Sequence, residues 1–383
     1  MEGNQILGMD NIKHYKHANL ERRSVDGYAS NEIAILGSNC TTITELVKNI
    51  ADRIGQFAKI AYLDASHSEG LSPPKYDSYT SHHSGQMVNE TAHTLNPYSE
   101  RIFFSQYDLL LINGNHFKGA KQILILDPAK EASVKKRLDQ LDRVQFVVYL
   151  SESPAYFDFL TDTYPNIKNL KAYAIDQLDA IANHVKNLVE QQIAPVKGLV
   201  LAGGKSKRMG QDKTQLKYHG KTQLEHTVGL LEENQLDTFV SLATDQQLEG
   251  YQSIADKFLD LGVFGAICSA FMQNPNTAWL VLATDLPFVD SQLIDQLLKA
   301  RDPSKVATAV KGQSKEFVEP LITIYEPKAY PVLLSYLAQG YSCPRKALIN
   351  SDVTIVEVAD DLIRNINTPQ EYKEAQDEIA KQL

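Results

Sequence analysis

Residues 198–213 read Gly-Leu-Val-Leu-Ala-Gly-Gly-Lys-Ser-Lys-Arg-Met-Gly-Gln-Asp-Lys. An apolar run from Leu199 to Ala202 stops at Gly203-Gly204, and a cationic loop then carries Lys205, Lys207, Arg208 and Lys213. An apolar run closed by glycine reads as a strand feeding a turn. Two adjacent glycines let the backbone take φ > 0 and bring its N–H groups against an anion without a Cβ in the way, while basic side chains cover the outer charges. The spacing is neither G-x-G-x-x-G nor G-x-x-x-x-G-K-[ST], so the common dinucleotide and Walker readings do not apply. A plain glycine turn with a solvated basic loop is the alternative that spacing alone leaves open.

The chain has 383 residues, long for one domain and comfortable for two. Hydrophobic residues make up 43% and charged residues 22%, as in ordinary globular proteins. A formal net charge of −9 argues against a nucleic-acid partner, which needs a basic surface, so any anionic ligand must be met locally. Cys40, Cys268 and Cys343 are far apart and form no C-x-x-C pair, which gives neither a disulfide framework nor a zinc site and fits a reducing cytoplasm. Met1 to Asp10 lack a basic segment followed by an apolar one, and no window approaches 18 apolar residues, so neither secretion nor a membrane span is expected.

The N-terminal half opens with a polar extension, residues 1–30. Ile33 to Leu36 form an apolar run closed by Gly37, and Ile43, Leu46, Val47 and Ile50 follow at helical spacing. Lys59 to Asp64 then supply a second strand at the distance of a βαβ unit. Residues 65–100 have no clear period and read as a long surface excursion. Asp108 to Gly114, Ile123 to Leu126 and Phe146 to Leu150 restore strand-like runs, with a charged helical stretch from Lys130 to Arg143. Seven of the ten histidines lie between positions 14 and 116, at spacings that match no standard ligand set. Residues 31–190 thus read as a parallel α/β domain, closed by a helical pattern from Ser151 to Gln192. The boundary falls near residue 194, before Pro195.

Residues 196–383 read as a second domain. Thr222 starts a helix with Leu224, Val228 and Leu231 on one face, and Thr238 to Thr244 form the next strand. Repeated strand–helix–strand spacing predicts a doubly wound sheet whose ligand lies at the carboxyl ends of its strands. Trp279 to Ala283 form a buried strand that delivers one carboxylate, Asp285, at its C-terminal end, ahead of Leu286-Pro287-Phe288. Helix capping by Asp285 is the structural alternative. Gly262 and Gly265 either make a helix-entry turn or approach a ligand. Glu319-Pro320-Leu321 precedes a strand from Ile322 to Tyr325, and Thr368, Pro369 and Glu371 make a capping box with proline at the first helical position.

The run L-A-G-G-x-x-x-R-M-G-x-D-K, Leu201 to Lys213, resembles the signature of the MobA-type molybdenum cofactor guanylyltransferases. Other nucleotidyltransferases share a looser version. Thr284 to Phe288 match the family's C/T-D-x-P-F, and Asn365 to Pro369 match its N-x-N-T-P. Asp256 with Gly262 to Gly265 is similar to its D-x-F…G-P-L-x-G element, although Val263 stands where proline is usual and Ala266 where a glycine often follows. The resemblance implies an α/β fold of two three-layer α/β/α domains, the second a Rossmann-like nucleotidyltransferase of the nucleotide-diphospho-sugar transferase type. It implies transfer of GMP from GTP to molybdopterin with Mg²⁺. Arg208, Lys213 and Asp285 would be catalytic, and Asp285 would also hold the metal. Leu201, Ala202, Gly203, Gly204, Lys213, Asp256, Gly262, Gly265 and Asp285 would bind nucleotide, with Glu319, Arg345, Lys346, Asn365 and Asn367 on the pterin side. The alternatives are CTP-dependent transfer to molybdopterin, a sugar-1-phosphate substrate, or a non-catalytic delivery protein. Client molybdoenzymes or their chaperones would be partners.

The first half resembles the MobB-type GTP-binding adaptor of the same pathway. The resemblance rests on the glycine loop after the first strand, Asp64 to Ser68, Lys75 to Tyr79, and the strand Asp108 to Gly114 with His116 and Lys118 beyond. The family's loop is G-x-G-K-T-T, and here it is Gly37-Ser38-Asn39-Cys40-Thr41-Thr42. Cys40 replaces the lysine that meets the phosphates and Asn39 the second glycine. A degenerate P-loop fold with a weak or absent nucleotide site is expected.

Overall fold

A computed structural model describes residues 27–66, 75–85, 87–92, 96–202, 213–243 and 248–381. The residues fall into two compact units. The first is drawn from Met1–Val47, Ala61–Phe104 and Leu110–Asp176, and the second from Lys48–Ile60, Ser105–Leu109 and Gln177–Leu383. Both are mixed α/β with largely parallel sheets.

The N-terminal strands are β1 (Glu32–Leu36), β2 (Ile60–Leu63), β3 (Ser78–Ser81), β4 (Met87–Glu90), β5 (Leu109–Asn113), β6 (Lys121–Leu126), β7 (Val144–Tyr149) and β8 (Ala172–Ala174). Six of them form one sheet in the order β2-β5-β1-β6-β7-β8. The pairings of β1 with β5 and β6, of β6 with β7 and of β7 with β8 are parallel. Strands β1 and β5 are buried along their whole length, which explains why they read as continuous apolar runs. After β1 the chain turns at Gly37, whose φ is +101° and where an added Cβ would lie 2.2 Å from the Ile125 carbonyl oxygen. The helix Cys40–Ile54 follows.

Two sequence expectations need correction here. The stretch 65–100 contains the antiparallel hairpin β3–β4 and the helix Pro97–Phe104. The hairpin is almost wholly exposed, so no core face imposed an apolar alternation on it. The charged stretch from Lys130 to Arg143 is no single helix but the short turns Pro128–Lys130, Glu131–Lys135 and Leu138–Gln140. Only Val134 is buried across these turns, too little apolar surface to hold a longer helix in place.

The C-terminal strands are β9 (Val196–Leu201), β10 (Thr238–Leu242), β11 (Ser253–Ala255), β12 (Ala278–Ala283), β13 (Ala307–Gly312), β14 (Glu319–Tyr325) and β15 (Val353–Val358). Their order is β11-β10-β9-β12-β14-β13-β15. Strand β14 runs antiparallel to β12 and β13, and the other pairings are parallel. The chain moves outward from β9 to β10 and β11, then returns to the other side of β9 as β12. That reversal opens a crevice at the carboxyl ends of β9 and β12. Trp279, Tyr325, Phe264 and Phe271 are fully buried in the core beneath it.

Strand β14 starts three residues earlier than the sequence suggested and takes in Pro320. The register of β13 against β14 shifts between Ala309 and Val310, where the partner jumps from Thr323 to Glu319. Such a bulge is where a residue without an N–H is tolerated. The Tyr325 hydroxyl donates to the Pro320 carbonyl at 3.0 Å and the Thr323 hydroxyl to the Glu319 carbonyl at 2.8 Å, which fixes Glu319 at the strand's start.

Gly37→Ala is expected to destabilise the first unit by more than about 1 kcal/mol, because the new Cβ meets both an unfavourable φ and a carbonyl oxygen. Urea unfolding followed by circular dichroism reads this out, and an unchanged midpoint would contradict the turn geometry.

Candidate active site

Ala283 at the end of β12 pairs with Leu201 at the end of β9, and the Thr284 hydroxyl donates to the Leu201 carbonyl at 3.3 Å. The next residue, Asp285, is thereby delivered to the crevice. Its Oδ2 accepts from Lys213 Nζ at 3.2 Å, and both side chains are about one-fifth exposed. The same ammonium donates to Asn367 Oδ1 at 2.9 Å. Asp285 Oδ1 is buried and has no hydrogen-bond partner among the described residues. A buried carboxylate oxygen without a donor is costly. Next to a crevice, it matches a hard cation that takes one protein carboxylate and completes its shell with substrate oxygens and water.

Asn367 is held from its own backbone. The Asn367 and Thr368 N–H groups donate to Glu371 Oε2 at 2.7 and 3.1 Å, and the Glu371 N–H donates to the Thr368 hydroxyl at 3.2 Å. This is the capping box expected from Thr368, Pro369 and Glu371, at the start of the helix Pro369–Ala380. The bond from the Asn367 N–H, with lesser help from Thr368 and the Lys213 charge, outweighs desolvation and holds the Glu371 carboxyl below its ordinary value. The Ile366 N–H donates to the Asp285 carbonyl at 2.9 Å. Lys213, Asp285 and Asn367, up to 154 residues apart, therefore form one constellation. Tyr218 packs edge-on against Tyr372 with ring centroids 5.0 Å apart. Its hydroxyl is pushed well up by burial, then by Tyr372, Asp285 and Glu371.

Two histidines that carried no signal in the sequence support the loop after Asp285. His219 Nε2 donates to the Pro287 carbonyl at 2.9 Å, and its ring stacks on His226 with centroids 3.9 Å apart. His226 is pushed down to about 4, mainly by burial and then by His219 and Lys221, against a hydrogen bond with the Val289 backbone. The two residues are seven apart, across a turn and into a helix, a spacing that no motif marks.

Glu319 and Arg345 also meet, with Arg345 Nη2 3.4 Å from Glu319 Oε2. Both line a cleft of about 510 Å³ together with Asn365, Lys315 and Arg364. Burial pushes the Glu319 carboxyl up and nearby Asp285 adds to this, against the Leu321 N–H and Arg345. Arg364 stacks over the Phe288 ring at 4.2 Å. Lys315 and Arg364 are cleft cations that the sequence reading missed, because isolated basic residues look like solvated surface. Lys346 does not join this group, and its ammonium lies 5.6 Å over the Tyr341 ring.

Asp256, Gly262 and Gly265 form a separate knot. Asp256 Oδ1 accepts from the Phe258 N–H at 2.9 Å and the Ser269 hydroxyl at 2.8 Å. Gly262, at φ +56°, caps the helix Val263–Gln273. A Cβ on Gly265 would sit 2.3 Å from the Phe258 carbonyl oxygen. The helix-entry reading of these glycines therefore has direct geometric support. Gly203, Gly204 and Arg208 lie outside the described residues. Leu201 is buried at the end of β9, and Ala202 follows half-buried.

Because burial disfavours the charged His226, the unfolded chain takes up its proton first as pH falls. Stability is then expected to decline from about pH 6.5 down to about pH 4. His226→Phe should flatten that decline in thermal-unfolding midpoints measured across the window. A variant with the wild-type slope would show that other groups carry the dependence.

Residues 198–353 match the MobA-like NTP transferase domain. A molybdenum cofactor biosynthesis bifunctional protein from Synechocystis is 32% identical over 184 residues, 46% of this chain and 53% of that protein. The chain thus spans about half the length of that relative. A probable molybdenum cofactor guanylyltransferase from Pyrococcus horikoshii is 30% identical over 147 residues, 37% of this chain and 74% of its own length. Among solved structures, molybdopterin-guanine dinucleotide biosynthesis protein A from Archaeoglobus fulgidus is 24% identical, covering 48% of this chain and 99% of its own, at a TM-score of 0.42. Through this C-terminal segment, the chain belongs to the MobA-like NTP transferases.

Proposed function

We propose that the protein transfers GMP from GTP to molybdopterin and releases pyrophosphate, forming the guanine dinucleotide form of the molybdenum cofactor. The observation that carries this reading is the Asp285 carboxylate. One of its oxygens is bound to Lys213 and the other is buried without a partner among the described residues, at the crevice where β9 and β12 end. The double glycine and the Gly210 to Lys213 ending favour GTP, as in the guanylyltransferases that the sequence resembles.

A terminal phosphate oxygen of molybdopterin attacks the α-phosphorus of GTP, and the bond to pyrophosphate breaks with no covalent enzyme intermediate. The chain's part is positioning and charge. Asn367 and Asp285 clamp Lys213, so its ammonium reaches the triphosphate already oriented. Arg208 joins it, with backbone N–H groups at Gly203 and Gly204 supplying the rest of the cradle. Mg²⁺ held at Asp285 Oδ1 would neutralise charge on the phosphate oxygens. Glu319, Arg345, Asn365 and Arg364 receive the pterin phosphate side in their cleft. Asp256 and the Gly262 to Gly265 turn shape the wall on the base side.

Lys213→Ala should lower pyrophosphate release by about 10²–10³, the loss expected for one preorganised electrostatic group. Wild-type turnover would overturn the assignment, and calorimetry with CTP and ATP beside GTP tests the base. For residues 31–190 we propose a scaffold that docks on the transferase or on client molybdoenzymes, with 196–383 as the transferase domain. Deleting residues 1–190 should preserve turnover and impair delivery, whereas loss of turnover would make the chain one functional unit.

A further inference from the structure

The first unit carries a cluster that guanylyl transfer does not use. At the carboxyl edge of the adjacent strands β2, β5 and β1, three loops bring Asp64, His116 and Cys40 together. Cys40 Sγ lies 3.3 Å from His116 Nε2, and the same nitrogen is 3.9 Å from Asp64 Oδ1. Cys40 is half-buried and opens the 15-residue helix Cys40–Ile54, where the helix dipole favours negative charge. Its loop is braced. The Ser38 hydroxyl donates to Asp127 Oδ2 at 2.8 Å, and the Thr42 N–H donates to Asn39 Oδ1 at 2.9 Å. Asp64 is anchored by the Tyr62 hydroxyl at 2.8 Å and the Ala65 N–H at 2.7 Å.

An independent observation points to a ligand. Asn113 is fully buried at the end of β5, and its side chain lies beside Asp64 and Tyr62. Its Oδ1 accepts the Asn115 N–H at 3.1 Å, but among the described residues its Nδ2 meets no acceptor in hydrogen-bonding geometry. Asn115 Nδ2 donates to the Ser38 carbonyl at 2.9 Å and lies 4.0 Å from Cys40 Sγ. The cluster therefore pairs a nucleophile with a base, sets a carboxylate's charge 3.9 Å from that base, and holds beside the carboxylate a buried amide donor that makes no hydrogen bond of good geometry among the described residues.

We propose that Cys40 is a peroxide-reactive thiol activated by His116. The sulfur attacks one oxygen of a hydroperoxide, an S–O bond forms and the O–O bond breaks. The thiol proton passes through His116 Nε2 to the leaving oxygen. Sulfur is oxidised by two electrons to the sulfenic acid and the peroxide is reduced to water or an alcohol. Asn113 Nδ2 donates to the oxygen on which charge develops. A peroxide matches this pairing because one of its oxygens is the electrophile and the other accepts a hydrogen bond.

The chain contains its own controls. Cys343 is exposed, and Cys268 is buried, with its thiol pushed up to about 12 by that burial and then by Asp256. The full chain is treated with one equivalent of hydrogen peroxide in the presence of dimedone, and the adducts are mapped by peptide mass spectrometry. Cys40 should be trapped at least about a hundredfold faster than Cys343, the lower end of what a positioned general base contributes. His116→Gln, checked for folding by circular dichroism, should bring Cys40 down to the Cys343 rate. Equal trapping of the two cysteines in the wild-type chain, or undiminished Cys40 trapping in a folded His116→Gln variant, would overturn the proposal.

Discussion

Everything at the crevice depends on how the Asp285 carboxylate is shared. One oxygen is bound by Lys213 and the other is buried without a donor among the described residues. Leaving an acceptor unsatisfied in this way costs about 1–3 kcal/mol, so the surrounding structure must hold the carboxylate where it would not settle unaided. It does so from several sides. Strand pairing of β12 with β9 sets the backbone position, the Ile366 N–H holds the Asp285 carbonyl, and the two stacked imidazoles support the loop beyond it. Strain of this kind, stored at a site and offset elsewhere, is common where a ligand completes the arrangement.

The second unit's fold was legible where burial wrote it into the sequence. Strands β9 and β12 are covered on both faces, so they had to be unbroken apolar runs, and the glycine and the aspartate that end them stood out. The capping box at Thr368 was equally readable, because it depends on neighbours in sequence. What could not be read was the convergence of distant parts. Nothing local says that Asn367 meets Lys213, that His219 stacks on His226, or that Arg345 faces the cleft while Lys346 turns to Tyr341. Those outcomes are set by tertiary packing. The hairpin β3–β4 stayed hidden for the opposite reason, since it packs on no core and so leaves no periodic trace.

The two strand–glycine openings, after β1 and after β9, share a sequence pattern and differ in the side chains that follow. In both, glycine follows a central strand of its sheet in the sequence. After β9 the loop is rich in cations and leads to Lys213. After β1 the loop carries Asn39 and Cys40 and no lysine. The turn there presses Gly37 against the Ile125 carbonyl. That loop brings a thiol beside His116, where the sequence after β9 offers ammonium and guanidinium groups. Similar sheet edges can carry different chemistry.

The central claim is that Asp285 recruits a divalent cation together with the nucleotide triphosphate. Calorimetric titration of GTP into the wild-type chain and the Asp285→Asn variant, each with and without Mn²⁺, tests it most directly. The predicted result is that Mn²⁺ tightens GTP binding to the wild-type chain and leaves binding to the variant unchanged. Equal tightening in both proteins would place the cation elsewhere and contradict the claim.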